Sequence, residues 1–455
     1  MSSFVVISPS SSENALHEEV LPAYLSSHPP PTPQPQLVTH SYSLTHKDGR
    51  AWLKLRIQSK AASSDQLPIV IGDQTVHGTV DFEPKDGASP KAIVVTLVGE
   101  LISETNMRFS FVEDFQQLWP EAQDNAPSAA PIGKHSTSRV LPFALRLPQT
   151  VDALAEDNST KSFKLPAPDF ARFRRYTVVY TLRVKVKYSS IFSTNHVSTC
   201  VNYMPVIQPS SPSVLRQDAY ALQAPLPPPD VDPEGWHSLP SVTFEGKLFG
   251  DRMIAIHYTL SLAAPLTYVR GSVIPLHLLV ECSDTHGLDL ASGPSTPLVR
   301  FRRISHINYD AGGANMPATQ AKLSDLKPMP MTAFQDLVDW LNTATWWSTP
   351  CEKSGVRMLQ GEIHIRKNLR PSAHLGLYKL SYDVALFDPV IPGFVLTIGQ
   401  KNKALQSVEV EVATVYPSGP RPIAYSPPSY EEENANQPVE TRNTRFNHFS
   451  KNMFL

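Results

Sequence analysis

The most specific chemistry in this chain sits near its far end, in Pro427-Pro428-Ser429-Tyr430. Paired prolines pre-set an extended left-handed helix without internal hydrogen bonds. Such a segment docks in aromatic grooves at small entropic cost. A tyrosine three positions after the first proline lies one turn along the same face, placed to fill the second pocket of a WW domain. With 43 prolines and 15 tyrosines in the chain, Pro-Pro-x-Tyr is expected about 0.1 times by chance overall and about 0.01 times in the tail, so the match is specific. Leu21-Pro22-Ala23-Tyr24 is a weaker version, with leucine in place of the first proline. Two ligands on one multi-WW partner would bind with avidity. Glu431-Glu432-Glu433 follows the main motif and reads as a solvated charge run. Ser426 precedes Pro427, and a phosphate there would set about two negative charges beside the motif. Ser-Pro pairs are, however, ordinary in a proline-rich chain.

Three groups of cations could meet acidic or phosphorylated cargo tails, or an anionic lipid surface: Arg172, Arg174 and Arg175; Arg183, Lys185 and Lys187; Arg300, Arg302 and Arg303. The plainer reading of each is the solvated outer face of a strand. Net charge is only −2, and aromatic interleaving of the kind that stacks bases is not convincing, so nucleic acid is not an expected partner. G-x-S-x-G, H-E-x-x-H, Walker A and G-x-G-x-x-G patterns are missing. His364, in Gly361-Glu362-Ile363-His364-Ile365, stands alone on a strand and reads as structural. The expectation is a protein that is not an enzyme and takes no cofactor and no metal. Cys200, Cys282 and Cys351 are few, odd in number and far apart, which suits a reducing, cytoplasmic location. No secretory leader or bilayer-length apolar run is expected.

The elements that must position these residues are strands. A chain of 455 residues exceeds one hydrophobic core and fits two domains with tails. Residues 1–40 and 417–455 read as disordered proline-rich tails, and 206–236 as a proline-rich connector. Residues 41–205 and 237–416 read as two β-sandwiches. Lys47-Asp48-Gly49-Arg50 predicts a hairpin into the alternating strand Ala51 to Ile57. Val76 to Phe82 is expected to pair with Ile93 to Leu101. Tyr176 to Tyr188 is the clearest strand, with Arg183, Lys185 and Lys187 on its outer face. In the second block, strands are expected at Ile254 to Leu260, Val273 to Val280, Leu298 to Arg303, Leu377 to Val384 and Val408 to Val412. One helix is expected: Phe334, Leu337, Val338 and Leu341 have helical spacing, and Thr332 with Gln335 reads as a capping box.

Taken in order, these stretches resemble the arrestin fold, specifically fungal-type α-arrestins. Val76-His77-Gly78-Thr79-Val80 followed by Ile93 to Gly99 is similar to paired strands of the arrestin N-domain. Leu141-Pro142-Phe143-Ala144-Leu145-Arg146-Leu147-Pro148 resembles that domain's Pro-Phe strand, and Tyr176 to Tyr188 its last long strand. Tyr268-Val269-Arg270-Gly271-Ser272-Val273-Ile274-Pro275-Leu276 resembles the C-domain's Gly-x-x-Ile-Pro turn. Gly361-Glu362-Ile363 with Leu369-Arg370-Pro371-Ser372 resembles a later pair. The resemblance covers residues 41–205 well and 237–416 more loosely, and departs from the family over 283–350. It implies an all-β protein of two tandem arrestin-type, immunoglobulin-like sandwiches. It further implies an adaptor that joins an integral membrane transporter or receptor to a WW-domain HECT-type ubiquitin ligase, recruited to the plasma membrane or endosomes. Pro427, Pro428 and Tyr430 would hold the ligase, with Leu21, Pro22 and Tyr24 as a second ligand. Two alternatives stay open: a membrane signalling scaffold such as one in fungal ambient-pH sensing, indifferent to Tyr430, and an enzymatic or carbohydrate-binding sandwich.

Overall fold

Strands form where apolar residues alternate and turn residues let the chain reverse. The computed structural model describes residues 37–426 apart from 84–89, 104–107, 120–137, 156, 158, 170–175, 189–193, 308–320, 323–336, 352, 377 and 401. The first half contains β1 (Val38–Thr45), β2 (Ala51–Ser59), β3 (Ile69–Ile71), β4 (Thr75–Phe82), β5 (Ala92–Ser103), β6 (Arg108–Trp119), β7 (Arg139–Arg146), β8 (Thr150–Leu154), β9 (Thr160–Lys164), β10 (Tyr176–Lys187) and β11 (Thr194–Met204). The predicted hairpin joins β1 to β2: Gly49 takes a φ of 86°, and the His46 N–H donates to the Arg50 carbonyl at 2.8 Å. Only a residue without a Cβ adopts that φ freely. Leu53, Leu55 and Ile57 are buried, as their alternation requires.

One sheet runs β1-β2-β4-β7, and a second contains β6-β5-β10-β11-β3. The expected pairing of Val76–Phe82 with Ile93–Leu101 does not occur. β4 pairs with β2 and β7, whereas β5 pairs with β6 and β10. Val76, Val80 and Phe82 from one layer and Ile93, Val95 and Leu97 from the other join a single buried cluster. Each run has an apolar face to bury, and placing the two in opposed layers buries both faces.

After the first half come the helix α1 (Val214–Leu222) and a single 3₁₀ turn at Pro233–Gly235. The second half then adds β12 (Trp236–Ser238), β13 (Val242–Leu248), β14 (Arg252–Ala263), β15 (Thr267–Val269), β16 (Val273–Cys282), the short helix α2 (Thr285–Ala291) and β17 (Val299–Ile307). It ends with β18 (Ala321–Lys322), β19 (Leu337–Thr343), β20 (Thr345–Thr349), β21 (Val356–His364), β22 (Ala373–Leu375), β23 (Tyr378–Leu386), β24 (Phe394–Leu396) and β25 (Gln406–Ala413). The larger sheet runs β20-β21-β16-β14-β13-β24, and its companion β15-β25-β23-β17-β19. Buried residues from both halves belong to one hydrophobic cluster, and β18 extends the first half's sheet by pairing parallel to β6. The chain is all-β with small helical additions.

Three further expectations need correction. Leu337, Val338 and Leu341 lie in β19, not a helix; Thr332, Phe334 and Gln335 fall outside the described residues. Leu337 and Val338 are exposed, so the helical spacing gathers no buried face. Partners across the strand prevail over local pattern: Arg303 is opposite Asp339 and bonds it at 2.8 Å, and Arg300 covers the Trp340 ring at 4.5 Å. Second, residues 206–236 are not a free connector. α1 is capped by the Ser213 side chain, and its buried Arg216 donates to the carbonyls of Ala264, at 2.7 Å, and Gly235. Third, residues 417–426 do not begin a free tail; they lie along the second half.

Candidate functional site

Strand period places Gln360, Glu362 and His364 of β21 on one face, and all three hold segments rich in proline. Gln360 Nε2 donates to the Leu226 carbonyl at 2.9 Å. Glu362, 1% exposed, accepts from the Tyr425 N–H at 3.0 Å through Oε2. Its Oε1 accepts from the Ser426 N–H at 2.7 Å and from the Ser426 hydroxyl. His364 Nε2 lies 2.9 Å from Ser426 Oγ and 3.1 Å from Glu362 Oε1. Burial alone would raise the Glu362 pKa, but the bonds from His364, Ser426 and Tyr425 outweigh it and hold the carboxyl below its ordinary value.

Tyr425 completes the clamp. Its hydroxyl donates to the Ala224 carbonyl at 2.6 Å, and its ring lies 6.4 Å from that of Trp347. Upstream, the Ile207 N–H bonds Thr414 Oγ1 at 2.9 Å, the Thr414 N–H returns to the Ile207 carbonyl at 2.9 Å, and Gln208 donates to the Tyr416 carbonyl at 3.0 Å. The segment between the halves and the segment after β25 therefore run together over β21. The described chain ends at Ser426, 8% exposed. Pro427, Pro428 and Tyr430 follow outside the described residues, as do Leu21, Pro22, Tyr24, Arg172, Arg174 and Arg175.

The remaining cations separate into two kinds. Arg183, Lys185 and Lys187 occupy one face of β10, and His196 stands directly across from Lys185 on β11. Burial, then the charges of Arg183 and Lys185, lower the His196 pKa. Burial likewise lowers that of Arg183, which also feels Glu100 and Arg108; those two pair at 3.1 Å. Lys187 is exposed and Lys185 half-buried. The Arg300 group is engaged internally. Arg302 holds Asp383 through two bonds, Nε to Oδ1 at 2.9 Å and Nη2 to Oδ2. Arg303 holds Asp339, and Arg300 stacks on Trp340. A cleft of about 550 Å³ lies between the halves, lined by Phe163, Lys164, Ile207, His374, Lys379 and Glu409. Within it Lys379 pairs with Glu409 at 3.0 Å.

Among the described residues, no group of three or more His, Cys, Asp or Glu is placed to hold a metal ion, and no helix is long and apolar enough to cross a membrane. Compared with models of known protein families and with curated proteins, the sequence gives no match. His364, read from the sequence as a structural residue, lies against Ser426, whereas Gln360 and Glu362 carried no role in that reading. The available signal was the placing of Gln360, Glu362 and His364 at i, i+2 and i+4, on one face of the strand.

Proposed function

We propose that this protein is an arrestin-like adaptor that joins an integral membrane transporter or receptor to a WW-domain HECT ubiquitin ligase. The observation that carries this reading is the position of Pro427-Pro428-Ser429-Tyr430: it follows directly on a segment anchored to a folded all-β body. A WW ligand tethered there ties its ligase to whatever the body holds. The β10 face with Arg183, Lys185 and Lys187 supplies a surface for acidic or phosphorylated cargo tails and for anionic lipid. Arg300, Arg302 and Arg303 act instead within the fold. Recruitment to the plasma membrane or endosomes follows from cargo binding. Support for the arrestin type comes from the ordered series of strand motifs, with the strands in paired sheets.

In host cells, Tyr430→Ala is expected to slow internalisation and ubiquitination of cargo while leaving protein abundance unchanged. Sorting that ignores Tyr430, with signalling intact, would favour the membrane scaffold over the ligase adaptor.

A further inference from the structure

The Ser426 hydroxyl, backbone N–H and neighbour Tyr425 are all committed to one buried carboxylate, and the next residue is Pro427. We infer that Ser426 is a phosphorylation site for a proline-directed kinase, and that phosphate there breaks the Glu362 clamp and releases residues 417–426 from the body. The consequence for WW docking rests on the adaptor reading; the clamp itself does not.

The chemistry is an ordinary phosphoryl transfer. Ser426 Oγ forms a bond to the γ-phosphorus of a nucleoside triphosphate, the bridging P–O bond to the β-phosphate breaks, and the hydroxyl proton and a nucleoside diphosphate leave. Ser-Pro is the pair such kinases read. Access requires the clamp to open locally, as segments held at the margin of a fold do.

Phosphate cannot stay where the hydroxyl sat. The hydroxyl donates to Glu362, whereas a phosphate ester at neutral pH carries nearly two negative charges and acceptor oxygens only. It would face a carboxylate held ionised by His364 and two backbone N–H groups, at a position only 8% exposed. Like charges in a buried site repel strongly, and the nearby Tyr425–Ala224 contact gives way with the clamp. Ser426, buried and held by Glu362, is covalently joined to the first residue of the motif, so a domain that docks on the motif must approach the body of the protein. Release removes that requirement.

The full-length protein is treated with a proline-directed kinase and Mg-ATP, with Ser426→Ala as control. Phosphate is mapped by mass spectrometry, and hydrogen exchange is followed at the Tyr425 and Ser426 amides. Calorimetry then compares WW binding of the full chain with that of the peptide Tyr425 to Asn434, each with and without phosphate. The expected result is phosphate on Ser426 and exchange at both amides faster by about tenfold or more, the size of one lost charged hydrogen bond. WW affinity of the full chain should rise to that of the phosphopeptide. Failure to phosphorylate Ser426, or complete phosphorylation with unchanged exchange, overturns the inference. So does an unmodified full chain that binds as tightly as the free peptide. If no peptide binds any WW domain, the adaptor reading fails, while the exchange result still decides the clamp.

Discussion

Replacing Asp383 by alanine tests how the second half spends its charge. Asp383 lies in β23, 5% exposed, directly opposite Arg302 of β17. The guanidinium meets it with both Nε and Nη2, and its carbon lies 5.6 Å from the Phe387 ring centroid. The side chains are 14% and 7% exposed, so water solvates neither charge well. Removing the carboxylate leaves the guanidinium desolvated and without its anion, at a cost of about 3–5 kcal/mol. That is a large part of the roughly 5–15 kcal/mol that stabilises a domain. Replacing both residues, Arg302→Met with Asp383→Leu, removes the orphaned charge and fills the space with apolar atoms. The double variant should therefore recover most of the loss. Urea denaturation of wild type, Arg302→Met, Asp383→Leu and the double variant closes the cycle, with Asp383→Ala measured beside them. If Asp383→Ala costs under about 1 kcal/mol, or the double variant is as unstable as the single, the pair does not act as a buried ion pair. The same cycle separates structure from binding: cargo lost on Arg302 replacement would then report a weakened fold.

Three further outcomes follow. His277 is 4% exposed, with its ring 5.9 Å from that of Trp236; burial pushes its pKa down to about 4. The unfolded chain therefore binds the proton more readily, so stability is full above about pH 6.5 and falls on acidification, by about 2 kcal/mol between pH 7 and pH 5; urea titrations of wild type and His277→Leu across that range should show the drop only in wild type. Glu362→Gln replaces an acceptor by a donor opposite the Ser426 N–H, so exchange at Tyr425 and Ser426 should quicken about tenfold, with the core amides of β16 unchanged. The Glu362 pKa is depressed in the fold, so its contribution is present above the ordinary carboxylate range and is lost as pH falls through the folded value; exchange at these two amides, corrected for intrinsic rate, should rise on acidification below about pH 4.5.

Period two made most of the architecture legible. Leu53, Leu55 and Ile57, and the inward set Val178, Tyr180, Leu182, Val184 and Val186, are buried where their alternation placed them. Pairing was less legible, because alternation states which face is apolar but not which strand lies alongside; β4 and β5 are adjacent in sequence yet lie in different sheets. The helix expected around Leu337 failed for a related reason: Asp339 and Trp340 find partners on β17 that helical spacing does not reveal. Proline content misled over residues 206–236 and 417–426. Proline limits helices and central strands, but it does not prevent a segment from docking, and Arg216 and Tyr425 fix these two through bonds to distant carbonyls. Glu362 escaped notice because a lone carboxylate in a strand gains meaning only once the Tyr425 and Ser426 amides are brought to it from more than sixty residues away.

The central claim is that Pro427-Pro428-Ser429-Tyr430 is a ligand for a WW-domain ligase. Calorimetry of the peptide Tyr425 to Asn434 with the WW domains of a host HECT ligase tests it most directly, with Tyr430→Ala as control. Micromolar binding that vanishes in the control is the predicted result. No binding by the wild-type peptide, or equal binding by the control, would contradict the claim.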